Sequence, residues 1–291
     1  ACRGQDAVVH AAALKHIRSG EESPHEVIQT NILGTHNVLE ASAQACVITC
    51  VVISSDKAVA PENLYGTTKM AAEKLTLAAS ATYEQTQFHL VRYGNVINSR
   101  GAVLEVFQRL LAQGEPCLPV THLDMSRFFM TLTDAVSLVS MALMQPGSGY
   151  CFVPHLSAFT LRMLLQILLG RLDLRETVDY HLLGIQPGEK LHESLMTQSE
   201  QRRTLWRPGA LASGDCYAIA PAASTPAQRA AMLPDWHPFH WNGRYASGQA
   251  GRQLSLEGLY AHLVLLQGIS RFPALPTLMP VHENGQRVFQ I

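Results

Sequence analysis

The chain has 291 residues, 47% of them apolar, and a formal net charge of -1 at pH 7. This composition supports a large core and excludes a disordered chain, and the balanced charge predicts no nucleic-acid partner. No apolar run approaches the roughly 20 residues of a membrane helix, so we expect no membrane span and a cytoplasmic protein.

Cysteine and histidine spacing predicts no metal site. The six cysteines form no CxxC pair, and the thirteen histidines form no HExxH or HxH pattern. We therefore interpret the cysteines as reduced thiols packed as small apolar side chains.

The first 112 residues alternate between apolar, β-branched runs and segments with one apolar helical face. The predicted elements are a strand at 6–10, a helix from Ser23 to about 44, a strand at 46–53, a helix at 64–79, a strand at 87–93 and a helix at 102–112. Strands and helices that alternate at this spacing predict an α/β fold with a doubly wound parallel sheet.

The pattern changes after about residue 115. The predicted elements there are strands at 127–131, 149–154 and 177–183 and helices at 134–144, 161–169 and 255–267. The stretch 196–254, rich in Gly, Pro, Ser and Ala, predicts irregular structure. We expect a dinucleotide-binding domain over 1–116, a mainly substrate-binding lobe over 117–267 with segments that return to the sheet, and a tail over 268–291.

Residues 54–69, SSDKAVAPENLYGTTK, concentrate groups that exchange protons. Tyr65 and Lys69 are four apart at the start of a predicted helix, so both side chains share one face. A lysine beside a tyrosine hydroxyl favours the phenolate, which removes a hydroxyl proton while hydride leaves the same carbon. YxxxK alone is a weak signal, but this one follows a buried strand, and doubly wound sheets bind ligands beyond the carboxyl ends of their strands.

Six ordered motifs resemble the extended short-chain dehydrogenase/reductase superfamily, and within it the polysaccharide-biosynthesis branch that contains inverting UDP-N-acetylglucosamine 4,6-dehydratases. The motifs are HAAALKH (10–16), TNILGTHNVLEA (30–41), SSDKAVAPENLYGTTKMAAEKL (54–75), RYGNVINSRGAV (92–103), MSRFFMT (125–131) and PGEKLHE (187–193). The resemblance implies a Rossmann-like NAD(P)-binding fold with a smaller C-terminal substrate lobe.

The resemblance also implies a role for each member of the 54–69 stretch. Tyr65 is the base for oxidation at C4 of the sugar, with NADP as the cofactor, and Lys69 holds the nicotinamide ribose and lowers the pKa of the tyrosine. Lys57 then removes the C5 proton, and Asp56 protonates the C6 hydroxyl as it leaves as water. An Asp–Lys pair on an ordinary surface has no such role; its place at a strand end favours the catalytic one.

Further positions carry over from the same resemblance. Expected cofactor contacts are Ala11, Ala12, Ala13, Ser55, Tyr65 and Lys69; expected substrate contacts are Lys15, Asn95, Arg100, Arg127 and Glu189. Asn31 is expected to be a buried polar residue behind the site, with a bond to a neighbouring carbonyl as the ordinary alternative. An exposed surface position is the ordinary alternative for the arginines and for Glu189.

The chain also departs from the family pattern. It contains no glycine-rich turn of the GxGxxG or GxxGxxG type, so we expect it to begin inside its domain, after the strands that carry that turn. Gln186 stands before PGEK where the family has Arg, and Ser55 stands where it has Thr.

Three functions therefore stay open: UDP-N-acetylglucosamine 4,6-dehydration with or without C5 epimerisation, UDP-sugar 4-epimerisation, and a non-catalytic role in which the chain binds a sugar nucleotide or a partner. A homo-oligomer is expected from the superfamily.

Overall fold

The computed structural model describes residues 1–97, 99, 102–115, 117–239, 245–249 and 253–267. The strands are β1 (Ala7–His10), β2 (Thr49–Ser55), β3 (Gln87–Tyr93), β4 (Asn95–Val96), β5 (Leu118–Val120), β6 (Ser126–Met130), β7 (Cys151–Pro154), β8 (Ala158–Thr160), β9 (Tyr180–Leu182), β10 (Ser194–Met196), β11 (Thr204–Leu211), β12 (Gly214–Ile219), β13 (His237–Pro238) and β14 (Tyr245–Ala246).

The helices are α1 (Ile17–Glu22), α2 (Pro24–Ile28), α3 (Gly34–Gln44), α4 (Leu64–Thr82), α5 (Val103–Ala112), α6 (Leu132–Leu143), α7 (Leu161–Leu169), α8 (Gln198–Gln201), α9 (Pro226–Met232) and α10 (Leu256–Gln267). A π-helical turn (Gln29–Leu33) joins α2 to α3, and a 3₁₀ turn (Asp56–Ala58) follows β2.

Chain contacts divide the protein into two units, of which unit 1 comprises Ala1–Gly94, Leu132–Leu156 and Pro187–Ala246. Its main sheet has seven strands in the order β1-β2-β3-β7-β12-β11-β13. The pairs β1–β2, β2–β3 and β3–β7 are parallel, whereas β12 joins β7 antiparallel. The predicted parallel α/β sheet is confirmed, and an antiparallel extension is added to it.

Helices cover both faces of this sheet. Val51 of β2 and Val91 of β3 are fully buried in a core cluster with Leu138 of α6. Ser54, three residues after Val51, faces the other side of the sheet and bonds to Glu73 of α4. A strand covered on both faces needs a continuous apolar run, which explains why the sequence of β2 lacks polar alternation.

The stretch predicted to be irregular is where the sequence-based expectation was wrong. β11 and β12 form a hairpin within 204–219, and Cys216, Tyr217 and Ala218 of β12 are buried. The Pro and Gly of β11 suggested a loop, but Pro208 and Gly209 lie in the stretch from Arg207 to Leu211 where the pairing register shifts. Tertiary pairing with β7 thus overrides the local composition.

The predicted helix from Ser23 to about 44 is also interrupted. Pro24 occupies its first turn, where a missing N–H costs nothing, and Ser23 makes no side-chain capping bond. The π-helical turn includes Asn31, whose side chain leaves the helix to bond elsewhere, as described below.

Unit 2 comprises Asn95–Thr131, Ser157–Gln186 and Ser247–Ile291. It contains the three-stranded sheet β4-β6-β8 and the parallel pair β5–β9. Ser255 Oγ accepts a 3.1 Å bond from the Gly258 N–H at the start of α10 and so caps this helix. The predicted tail over 268–291 lies outside the described residues.

Across the described part of the chain, no helix combines the length and the apolar character that a membrane crossing requires.

Candidate active site

The end of β2 presents Asp56 and Lys57 in a single 3₁₀ turn. Ser55 caps this turn, its Oγ accepting a 3.3 Å bond from the Lys57 N–H. The next strand, β3, runs parallel to β2 in register through Ser55, so the turn follows the carboxyl edge of the sheet. This is the edge at which doubly wound sheets bind ligands.

Asp56 is fully buried and only half satisfied. Its Oδ1 accepts bonds from Ser55 Oγ at 2.8 Å and from Lys57 Nζ at 3.0 Å. Its Oδ2 is buried and has no hydrogen-bond partner among the described residues. A buried carboxyl oxygen without a partner is costly, and it marks the atom at which a ligand would be received.

Lys57 is also bound by a carboxylate that the sequence analysis overlooked. Glu193 Oε1 lies 3.6 Å from Lys57 Nζ, and Glu193 Oε2 lies 3.6 Å from Lys190 Nζ. Lys190 in turn donates to the Val59 carbonyl at 2.7 Å. Both overlooked residues lie in the PGEKLHE motif, of which the sequence analysis singled out only Glu189. The alternating charges of Lys190 and Glu193, three residues apart, were the available signal.

The start of α4 is hydrogen-bonded to the loop that carries the PGEKLHE motif (187–193). Asn63 caps the helix, its Oδ1 accepting from the Gly66 N–H at 2.8 Å, and its Nδ2 donates to the Gly188 carbonyl at 2.7 Å. A Cβ on Gly66 would lie 2.3 Å from the Lys57 carbonyl oxygen. Only glycine therefore lets α4 pack this closely on the 3₁₀ turn and place Tyr65 near Lys57.

The environment of Tyr65 differs from the expected one. Burial raises the pKa of the phenol, and the charge of Lys57 together with a hydrogen bond with Ser55 oppose that rise. The family resemblance predicts instead that Lys69 lowers this pKa. In the structure the cation that acts on the phenol is Lys57, because the ammonium of Lys69 is directed to the main chain.

Lys69 is buried behind the strand end. Its Nζ donates to the Ile53 carbonyl at 2.5 Å, the one hydrogen bond it makes within the described part of the chain. Burial lowers the pKa of Lys69 to about 8, against the charge of Glu73, which raises it. Two N–H donors remain for a ligand, a donor set that suits the hydroxyls of a nicotinamide ribose. Ala11 and Ala12, predicted cofactor contacts that follow β1, are exposed and Ala13 is half-buried.

Asn31 occupies the predicted buried polar position. Its Oδ1 accepts from the Leu14 N–H at 2.8 Å, and its Nδ2 donates to the Leu14 carbonyl at 2.9 Å and to Thr68 Oγ1 at 3.0 Å. The two bonds to the Leu14 main chain fix the segment after β1, and the bond to Thr68 connects that segment to α4. This is more than the local carbonyl bond of the ordinary alternative.

The remaining predicted contacts are distributed over both units. In unit 1, Lys15 is exposed and Glu189 is half-buried. In unit 2, Asn95 lies on β4 beside Phe129 of β6, and Arg127 of β6 donates to the Ser126 carbonyl at 2.7 Å. Arg100 lies outside the described residues, and Gln186 is exposed and donates to the Gly184 carbonyl at 3.0 Å.

Comparison with known proteins identifies relatives of this site. The family model described as "Polysaccharide biosynthesis protein" matches residues 1–211. An inverting UDP-N-acetylglucosamine 4,6-dehydratase of Campylobacter jejuni is 40% identical over 206 residues, which are 70% of this chain and 60% of the relative. A UDP-glucose 4-epimerase of Rickettsia bellii is 38% identical over 205 residues, 70% of this chain and 59% of the relative.

The solved structure of Pen from Bacillus thuringiensis has a TM-score of 0.78 and 31% sequence identity, and the match covers 92% of this chain and 77% of that chain. The chain spans about 60% of the length of the two curated relatives. The family model, by contrast, matches well over half of the chain itself. The chain therefore belongs to the polysaccharide biosynthesis protein family, within the extended short-chain dehydrogenase/reductase superfamily.

Proposed function

We propose that this chain carries the catalytic part of a sugar-nucleotide 4,6-dehydratase that acts on UDP-N-acetylglucosamine with NADP. The observation that carries the proposal is the 3.0 Å contact between Lys57 Nζ and Asp56 Oδ1 at the end of β2. β-Elimination of water needs a base at C5 and an acid at the C6 hydroxyl, and this contact joins one candidate for each role.

One proton shift along that contact prepares both groups. As an ion pair, Lys57 has no lone pair to accept a proton and Asp56 has no proton to give. Transfer of one proton from Nζ to the carboxyl produces a neutral amine and a neutral acid together. Lys57 then takes the C5 proton, and Asp56 gives its proton to the departing hydroxyl.

Tyr65 is proposed as the base for the C4 hydroxyl, and Lys69 as the residue that binds the nicotinamide ribose. When bound, an oxidised nicotinamide would accept hydride from C4, return it to C6 and bring a positive charge that favours the Tyr65 phenolate. Without that charge, burial raises the pKa of the phenol and keeps Tyr65 protonated. Tyr65 would therefore act as a base only when the oxidised cofactor is bound.

The substrate and its stereochemistry rest on relatives. The 40% identity to an inverting UDP-N-acetylglucosamine 4,6-dehydratase supports both the UDP-sugar and inversion at C5. Asn95, Arg100, Arg127, Glu189 and Lys15 are proposed to contact the sugar nucleotide. The homo-oligomer and the cytoplasmic location also stay predictions.

A UDP-sugar 4-epimerase is the second candidate, because a relative of that description is 38% identical over a similar stretch. The two activities share Tyr65 and Lys69, but epimerisation at C4 removes no C5 proton and releases no water. An Asp–Lys pair at the strand end is required only by the dehydratase, so we place that activity first.

The test is incubation of the full-length protein with UDP-N-acetylglucosamine and NADP, followed by mass spectrometry for loss of one water. Tyr65→Phe should abolish the reaction. Lys57→Ala should abolish the water loss while C4 oxidation continues, so reduced cofactor and the 4-keto sugar accumulate. Exposed Lys74→Ala on α4 is the matched control. Undiminished water loss in Lys57→Ala, or UDP-N-acetylgalactosamine as the product, would refute the proposal.

A further inference from the structure

A buried cluster of charges lies behind Lys69 in unit 1. Arg92 of β3 donates to both oxygens of Glu73 on α4, at 2.9 and 2.6 Å, and to both oxygens of Glu200 on α8, at 3.2 and 3.0 Å. Ser54 Oγ donates to Glu73 Oε1 at 2.5 Å. Glu73 is thus held from two adjacent strands, since Ser54 and Arg92 are register partners in the sheet.

The cluster is too buried to be an ordinary surface ion pair. Arg92 and Glu73 are 3% and 5% exposed. Desolvating charges is costly, and a bidentate, fully bonded arrangement is the condition under which proteins tolerate it. Two carboxylates face one guanidinium, so Arg92 leaves one negative charge to be balanced by the flanking cations.

Lys69 is the flanking cation on the Glu73 side. It lies one helical turn before Glu73 on α4, so the two side chains share one face. Its Nζ bonds to the carbonyl of Ile53, the residue that precedes Ser54. The ammonium and the Glu73 carboxylate are therefore attached to consecutive residues of the same strand end.

The other titratable groups described below do not supply the negative charge that Glu73 places beside the Lys69 ammonium. His10 on β1 faces Lys69, and burial followed by the charge of Lys69 lowers the pKa of this histidine, so it stays neutral. Cys151 on β7 lies near Arg92, and burial raises the pKa of its thiol, which also stays neutral. Arg203 acts on Glu200, at the far side of the guanidinium.

We propose that Glu73 is a positioning residue: anchored by Arg92 and Ser54, its carboxylate keeps Lys69 as an ammonium fixed at the Ile53 carbonyl. The importance of that ammonium for a nicotinamide ribose rests on the proposed function. The link between Glu73 and Lys69 does not, and it is measurable in the protein without any ligand.

The experiment is an NMR titration of lysine side chains. The chain has five lysines, so a sample with 13C-labelled lysine gives few signals, and Lys69→Met identifies the one of interest. Lys69 should titrate near pH 8 in the unaltered protein. In Glu73→Gln its midpoint should fall by about two pH units, the Coulomb energy of two unit charges roughly 6 Å apart, the spacing of i, i+4 helix neighbours, at an effective dielectric constant of about 20.

Glu200→Gln is the matched control, because it removes a carboxylate that binds the same guanidinium but not the one beside Lys69. We expect its Lys69 midpoint to stay within a few tenths of a pH unit. Glu73→Asp, which keeps the charge, should restore most of the midpoint. Glu73→Gln leaves Arg92 paired with Glu200; if that variant nevertheless does not fold, Glu73→Gln with Arg92→Met and Glu200→Gln removes the whole cluster without leaving an unpaired charge and should show the same fall.

An unchanged Lys69 midpoint in the Glu73→Gln variants, or an equal fall in Glu200→Gln, would overturn the proposal. Absence of dehydratase activity would instead refute the proposed function and leave this titration result standing.

Discussion

Burial of Lys69 has a stability cost that should be visible as a pH dependence. The pKa of Lys69 is about 8 in the folded protein, against an ordinary value of 10.5. A difference of 2.5 pH units at about 1.4 kcal/mol each corresponds to about 3 kcal/mol. Because the folded pKa is the lower one, the charged form is disfavoured in the fold, and the cost is present in full below pH 8.

The sign follows from proton binding. Between pH 8 and 10.5 the unfolded chain keeps its Lys69 proton while the folded protein has lost it. Folding stability therefore increases with pH across this window. We expect the free energy of unfolding to rise by about 2 to 3 kcal/mol between pH 7 and pH 10 from this residue alone. Other groups that titrate at high pH add to the observed change and must be subtracted.

Lys69→Met is the reference that removes the contribution of these other groups. Urea unfolding of both proteins at pH 7 and pH 10 gives four free energies, and the difference between the two pH responses isolates Lys69. Lys74→Met on the exposed side of the same helix is the control, and it should respond to pH as the unaltered protein does. Equal pH responses of Lys69→Met and the unaltered protein would show that Lys69 is not desolvated as the structure indicates.

Three further predictions test other parts of unit 1. His89, fully buried between Tyr150 and Phe152, has a pKa lowered to about 4 by burial, so stability is lost as pH falls from 6.5 to 4. In urea unfolding measured across this pH range, the free energy of unfolding of the unaltered protein should fall by about 3 kcal/mol more than that of His89→Phe. An equal fall in both proteins would contradict this. Gly66→Ala should cost about 1–3 kcal/mol in thermal unfolding, whereas Gly34→Ala, whose added Cβ would lie 3.5 Å from its nearest neighbour, should not. Asn63→Ala should cost about 1 kcal/mol or more, and Asn63→Asp, which keeps the cap but loses the donor to Gly188, should cost less; equal losses would refute the separate roles.

The strongest agreement between sequence and structure lies where local pattern and tertiary packing coincide. β3 and α7 have the predicted bounds, because the apolar run of β3 and the amphipathic face of α7 are buried as their periodicity requires. β11 and β12 were missed because β12 is held by pairing with β7, and β11 by pairing with β12, and the pairing with β7 has no local sequence pattern. Arg92 was missed for the same reason, because its partner Glu200 is more than a hundred residues away in sequence. Glu193 had a local signal in Lys190, three residues before it, but its contact with Lys57 is equally distant in sequence.

The stretch 54–69 was predictable because it is local, yet the chemistry proposed for it depends on a distant loop. Residues 54–69 contain the proposed acid, base and tyrosine within one strand–turn–helix. Glu193 places a second carboxylate near Lys57, and the Gly188 carbonyl accepts a hydrogen bond from Asn63 Nδ2 at the start of α4. The loop that contributes both belongs to the motif whose Glu189 is proposed to bind the sugar nucleotide. Displacement of that loop by substrate would therefore change the number of carboxylates beside Lys57, and with it the ease of the proposed proton shift between Lys57 and Asp56.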